Sequence, residues 1–153
     1  MGEEADEYFG YILDGTERLR MLIQALLAYS RLGRAELRLE SIDTARMVRH
    51  ILTTVTHDRE FHVEVADLPT VVADRAQLGQ VFQNLIGNAL KFVDGKPAHV
   101  VVSAEREEGG WRFAVADNGI GIEPRYVGRI FEVFERLHAR DRYAGAGIGL
   151  SIC

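Results

Sequence analysis

The sequence predicts an α+β fold: a two-layer α/β sandwich preceded by one long amphipathic helix. Three observations lead there. Apolar residues recur at helical spacing over residues 4–31 and again over 74–92. Short stretches of alternating apolar and polar residues fall between and after those helices. The last two of these stretches are joined by a glycine-containing turn, so antiparallel neighbours lie beside helices that must cover one face of a sheet.

The elements follow in order. Between Glu4 and about Arg31 there is no proline, and Ile12, Leu19, Leu22, Leu26 and Tyr29 form one seam. Leu13, Ile23 and Leu27 widen it beyond what a solitary surface helix carries. This predicts helical partners, from a second chain or a bundle, over the plainer reading of a terminal helix lying on its own domain. Gly33 is placed as a C-cap and marks a boundary, giving segments 1–33 and 34–153. Leu37 to Ile42 then alternates as a half-buried strand, and Asp43 or Thr44 caps a helix running to about Val55. Strands are predicted over Phe61–Val65 and, after Pro69, over Thr70 to Ala73. Asp74 caps the strongest interior helix, in which Leu78, Val81, Phe82, Leu85, Ile86 and Ala89 share one side. Strands from His99 to Glu105 and from Trp111 to Ala116 meet through Glu107-Glu-Gly-Gly110, a hairpin turn.

Composition narrows the function. The 153 residues, 47% of them hydrophobic, can bury one core, and no apolar run approaches the roughly 18 residues of a membrane span. A net charge of -5 argues against a general nucleic-acid binder, which needs a basic face. The single Cys153 forms no internal disulfide, and no charged-then-apolar leader opens the chain; together these lead us to expect a cytoplasmic protein.

Three groups of residues carry chemistry. Asn84, Asn88 and Lys91 follow one another at spacings of four and three along one edge of the 74–92 helix. An amide oxygen is a hard ligand suited to Mg²⁺, and a lysine one turn later meets phosphate as a point charge; the alternative is a solvated polar face. In Asp117-Asn-Gly-Ile-Gly-Ile122 a carboxylate at a strand end can accept from an exocyclic amine such as adenine's, while Gly119 and Gly121 allow close backbone approach; taken alone, the stretch is also an ordinary turn. Gly145, Gly147 and Gly149 alternate before Leu150, either as a phosphate loop or as a linker. They follow no strand and include no P-loop lysine, so neither the dinucleotide fingerprint nor the P-loop applies.

Taken in order, these segments resemble the ATP-binding part of bacterial sensor histidine kinases. Gln80 to Phe92 resembles the N box, Asp117 to Ile122 the G1 box, Ile130-Phe-Glu-Val-Phe134 the F box and Gly145 to Leu150 the G2 box. Upstream, Glu7 to Leu19 and Leu26 to Arg31 are similar to the second helix of the dimerisation and phosphotransfer hairpin, particularly that of phytochrome-like kinases. The resemblance implies the α/β sandwich shared with gyrase-type ATPases, with ATP and Mg²⁺ as cofactors. It implies that Asn88 coordinates Mg²⁺, with Asn84 near the metal or γ-phosphate, Lys91 on phosphate and Phe92 near the nucleoside. Asp117 would read the adenine amine, with Gly119, Gly121 and Ile122 approaching the base and Gly145, Gly147, Gly149 and Leu150 presenting the phosphate loop. A homodimer or oligomer through helix 4–31 and a response regulator for the parent protein follow as partners, with no nucleic acid and no membrane contact.

Between Arg125 and Arg142, five arginines stand against three acidic residues, a local charge of +2 in an acidic chain. Such a reversal suits a lid over a triphosphate, with Arg136 as the phosphate contact, the other arginines read as solvated surface, and Phe131 and Phe134 as anchors in an apolar groove. The family's phosphoacceptor is a histidine followed by an acidic residue and, five positions on, a proline. His57-Asp58 imitates its opening, but His62 stands at the fifth position, so the acceptor is expected outside this chain. His57 and His62 with Glu60 have no defined ligand geometry and read as surface residues, and His50, His99 and His138 as structural or surface ones. The sequence thus predicts a kinase segment lacking the first hairpin helix and most of the helix and the final strand that follow the G2 box in the family, unable to autophosphorylate alone. Two further readings stay open: a serine-directed kinase of the anti-sigma type, and a dimerisation module with an impaired nucleotide site.

Overall fold

The computed structural model describes residues 37–55 and 61–131, together with residues 8, 9, 15, 16, 19, 20, 23 and 150. Within 37–55 and 61–131, five strands and two helices follow in the order β1 (Leu39–Asp43), α1 (Thr44–Thr54), β2 (Phe61–Val65), β3 (Thr70–Asp74), α2 (Arg75–Lys91), β4 (Ala98–Glu107) and β5 (Gly110–Asp117). A short 3₁₀ turn, Pro124–Tyr126, comes after them. Tyr8, Phe9, Gly15, Thr16, Leu19, Arg20 and Ile23 are helical, in line with the predicted leading helix; Ile12, Leu22, Leu26 and Tyr29 lie outside the described residues.

Both helices start on an aspartate. The Asp43 carboxylate accepts the Arg46 N–H at 2.9 Å, which satisfies one of the donors a helix leaves open at its first turn. Thr44, Met47, Val48 and Ile51 then face inward at spacings of three, one and three. The buried Thr44 hydroxyl donates to the Pro69 carbonyl at 2.6 Å and ties α1 to the β2–β3 connection. Asp74 accepts from Ala76 and Gln77 of α2 at 3.0 and 3.1 Å, and from Arg38 at 3.0 Å, so one carboxylate joins the helix start to the chain entering β1. Those backbone donors, Arg38 foremost, hold the Asp74 carboxyl below its ordinary pKa.

The strands form two separate ladders. β1 pairs antiparallel with β3 as a two-stranded ribbon, and β4 lies between β2 and β5 in a three-stranded sheet. β4 and β5 are antiparallel, from Val100 opposite Asp117 to Glu107 opposite Gly110. β2 and β4 are parallel, a pairing that local alternation cannot reveal because it depends on the crossover through α2. The hairpin strands are one to two residues longer at each end than predicted, because the turn is only Glu108-Gly109, with Gly109 at φ +90°.

α1 and α2 cover one face of the sheet. Val48, Phe82, Ile86, Val100 and Val102 are fully or almost fully buried between the layers, and Phe82 meets Phe113 of β5 edge to face at 5.4 Å. The prediction for β1 needs correction. Alternation over Leu37 to Ile42 suggested a half-buried strand from Leu37, but the strand begins at Leu39, which is 65% exposed, and Ile42 is its one buried residue. Ser41 pairs with Val72, itself 71% exposed, so that side of the ribbon faces solvent and the Ile42–Val71 side meets the helices.

Candidate functional site

From Gln80 onward α2 carries two faces at once. Phe82, Ile86, Ala89 and Leu90 enter the core, while Gln80, Asn84, Asn88 and Lys91 form a half-buried polar edge beside them. The Gln80 amide donates to the Asn84 side-chain oxygen at 3.1 Å. Lys91 occupies the last turn, where a cation complements the helix dipole, and its Nζ lies 4.7 Å from the centre of the Phe92 ring. Phe92 caps the helix: its N–H donates to the Asn88 carbonyl at 3.0 Å.

The carbonyl of Phe92 turns outward and accepts the Ile120 N–H at 2.9 Å. This bond fastens the turn after β5 to the end of α2. Asp117, the final residue of β5, accepts the Gly119 N–H at 2.8 Å, closing an Asx turn. A Cβ at Gly119 would come within 2.6 Å of the Asp117 carboxylate and closer still to the Phe92 carbonyl oxygen. Gly119 is therefore a requirement of close approach, whereas Gly121, at φ +73°, is one of backbone conformation. The sequence treated the two alike.

Asn118, to which the sequence assigned no role, joins the turn to β4. Its side chain accepts the His99 N–H at 2.9 Å and donates to the Pro97 carbonyl at 3.1 Å, while its own N–H donates to the His99 carbonyl. Its available signal was an Asx residue directly after a strand end. The turn is thus held on two sides, by Phe92 and by β4, with Asp117 between them.

Of the expected basic lid, Arg125 is paired with Glu123 at 2.9 Å and lies over the Tyr126 ring at 4.7 Å, an exposed surface arrangement. Phe131 is not buried in a groove; it is 57% exposed. Arg129 and Ile130 both donate to the Tyr126 carbonyl, and the inward positions of this turn fall on Tyr126 and Ile130 instead. Arg136, Phe134, Arg140, Arg142, Gly145, Gly147 and Gly149 lie outside the described residues, and Leu150, which is described, is half-buried. His57, Glu60 and His138 also lie outside them. His99, expected as a structural or surface residue, is exposed and has close company: Glu64 lies 3.0 Å from its Nε2 and His62 stacks on its ring. Hydrogen bonding from His99, then its charge, holds the Glu64 carboxyl below its ordinary pKa.

A two-layer sandwich with an amide-lined helix edge fastened to an Asp-Asn-Gly turn defines a class, and comparison with known proteins agrees. Residues 73–153 match the family of histidine kinase-, DNA gyrase B-, and HSP90-like ATPases, and the chain belongs to that family. Within it, the chain is homologous to phytochrome-like histidine kinases: it is 38% identical over 156 residues to the phytochrome-like protein Cph1 of Synechocystis sp., covering 100% of this chain and 21% of that protein. Cyanobacterial phytochrome A of Nostoc sp. is 37% identical over 161 residues, with coverage of 98% and 20%. The chain therefore spans about a fifth of the length of the curated relatives it matches. Among solved structures, full-length ShkA in complex with AMPPNP is similar with a TM-score of 0.73 and 33% identity, over 99% of this chain and 33% of that one. No helix among the described residues is long and apolar enough to cross a membrane.

Proposed function

We propose that this chain binds Mg-ATP at the α2 edge and the Asp117 turn, and that it serves γ-phosphoryl transfer to a histidine lying outside it. The observation that supports this is the fastening of the Asp117–Gly121 turn to the end of α2 through the Phe92 carbonyl, which joins Asp117 to the helix that carries Asn84, Asn88 and Lys91. The donor chemistry fits the ligand. Asn88 offers a hard amide oxygen to Mg²⁺, with Asn84 one turn earlier, and Lys91 offers a cation to phosphate. Asp117 accepts the adenine amine, Phe92 lies against the nucleoside, and Gly119, Gly121 and Ile122 present backbone to the base.

Arg136 and the backbone of Gly145, Gly147, Gly149 and Leu150 complete the phosphate contacts in this reading. When bound, magnesium supplies neutralisation of phosphate charge. The residues of the chain orient the nucleotide and exclude water, which is most of what in-line phosphoryl transfer requires. Segment 1–33 then acts as the second helix of a dimerisation hairpin and 34–153 as the catalytic domain, with a response regulator downstream of the parent kinase.

Titration with a fluorescent ATP analogue in Mg²⁺ tests the site. Loss of a hydrogen bond to a charged acceptor is worth about 1.5–3 kcal/mol, so Asp117→Asn is expected to weaken binding by roughly tenfold to a hundredfold. Equal binding by both proteins overturns the assignment of Asp117. A separate polypeptide bearing the acceptor histidine should then become labelled by γ-³²P-ATP, and label on this chain alone would contradict an external acceptor.

A second reading, an interaction module built on the leading helix, is favoured by one observation. Leu19 and Ile23 are helical, one turn apart and mostly exposed, as an unpartnered seam would be.

A further inference from the structure

On the face of the sheet opposite the helices, β2 and β4 run parallel and in register, so His62 stands directly beside His99. Glu64, two residues on along β2, projects from the same face. Val63, Val65, Val100 and Val102 take the other face and pack into the core. The two imidazole planes are 3° apart with centroids at 5.2 Å. Both rings direct Nε2 at a single atom, Oε1 of Glu64, 3.0 Å from His99 and 3.4 Å from His62. One ligand atom from each residue lies within 4.8 Å of the other two.

We propose that His62, Glu64 and His99 form a binding site for a divalent transition-metal ion of the zinc type. Metal–ligand bonds of about 2.0–2.1 Å in a tetrahedron separate the ligand atoms by roughly 3.3–3.4 Å. The observed 3.0 and 3.4 Å to the shared carboxylate lie at that spacing, and a modest side-chain rotation brings the two ring nitrogens to it. Two imidazole nitrogens and one carboxylate oxygen suit zinc, nickel or copper, and are a poor set for magnesium, which takes oxygen ligands in octahedral geometry.

The site is therefore distinct from a Mg²⁺ position at Asn88, and it does not rest on the nucleotide reading. Strand pairing sets His62 beside His99 before a metal arrives, and the main chain of His99 is anchored on both sides by Asn118. This preorganisation lowers the ordering cost of binding. All three side chains are open to water, so ions can enter freely and at least one coordination position stays available to water.

Titrating the full chain with Zn²⁺ by calorimetry, and with Co²⁺ by visible absorption, both in millimolar Mg²⁺, tests the proposal. One equivalent is expected to bind. His62→Ala, His99→Ala and Glu64→Gln should each weaken it by at least about tenfold, the scale seen when even the partners of metal ligands are removed. His50→Ala, His138→Ala and Cys153→Ser should leave it unchanged. Zn²⁺ should raise the melting temperature of the unsubstituted protein and not of His99→Ala. In the unsubstituted protein, Co²⁺ should shift or broaden the imidazole NMR signals of His62 and His99 before those of other histidines, a readout independent of whether the variants fold. Non-stoichiometric binding, binding unaffected by the three substitutions, or uniform perturbation of all histidines would overturn the site.

Discussion

At Gly119 the space for a side chain is already occupied by the Phe92 carbonyl and the Asp117 carboxylate. Gly119→Ala must push the turn off the end of α2, at an overpacking cost of roughly 1–3 kcal/mol. Nucleotide affinity should fall further than stability, because the displaced group is Asp117; chemical denaturation and analogue titration on the same variant check this. A loss of stability with full nucleotide affinity would dissociate the turn from the site. Asp74 gives a pH prediction. Its folded pKa is depressed, so its stabilisation is complete above the unfolded value and lost as pH falls through the folded one. Asp74→Asn should be less stable than the unsubstituted protein at neutral pH. The gap should close in acid below the ordinary carboxylate range, as followed by urea unfolding at a series of pH values.

At the scale of elements, α2 both fills the core and carries the polar edge of the candidate site, and the two sets of residues alternate two positions apart. Phe82 and Ile86 are buried against the sheet, and Asn84 and Asn88 lie along the adjoining edge. Phe82→Ala removes a fully buried ring that meets Phe113, and should cost about 3–5 kcal/mol in equilibrium unfolding. Much of the polar edge was legible from spacing alone, because a period of 3.6 assigns each residue to a side of the helix. The β1 face was not. Alternation names two faces without saying which is buried, and the ribbon's pairing with β3 chose Ile42 over Leu39.

For the whole molecule, the exposed apolar residues of the leading helix set the expectation. Tyr8, Phe9, Leu19 and Ile23 are all mostly exposed. A chain that covers them by self-association should sediment as a dimer or larger species at micromolar concentration. Leu19→Glu combined with Ile23→Lys should shift it towards monomer with the melting temperature of the 37–131 region little changed. A monomer at every concentration would remove the dimerisation role.

Sequence by itself determined the two interior helices, their aspartate caps and the hairpin, because each depends on neighbours within about a turn or a strand, and the order of its motifs carried the resemblance to an ATPase domain. Tertiary structure alone decided the parallel pairing of β2 with β4, the fastening of Ile120 to Phe92, the role of Asn118 and the meeting of His62, Glu64 and His99. These contacts join residues about 20 to 40 positions apart, and such distances are bridged by the crossover through α2 and the register of the sheet, which local periodicity does not encode.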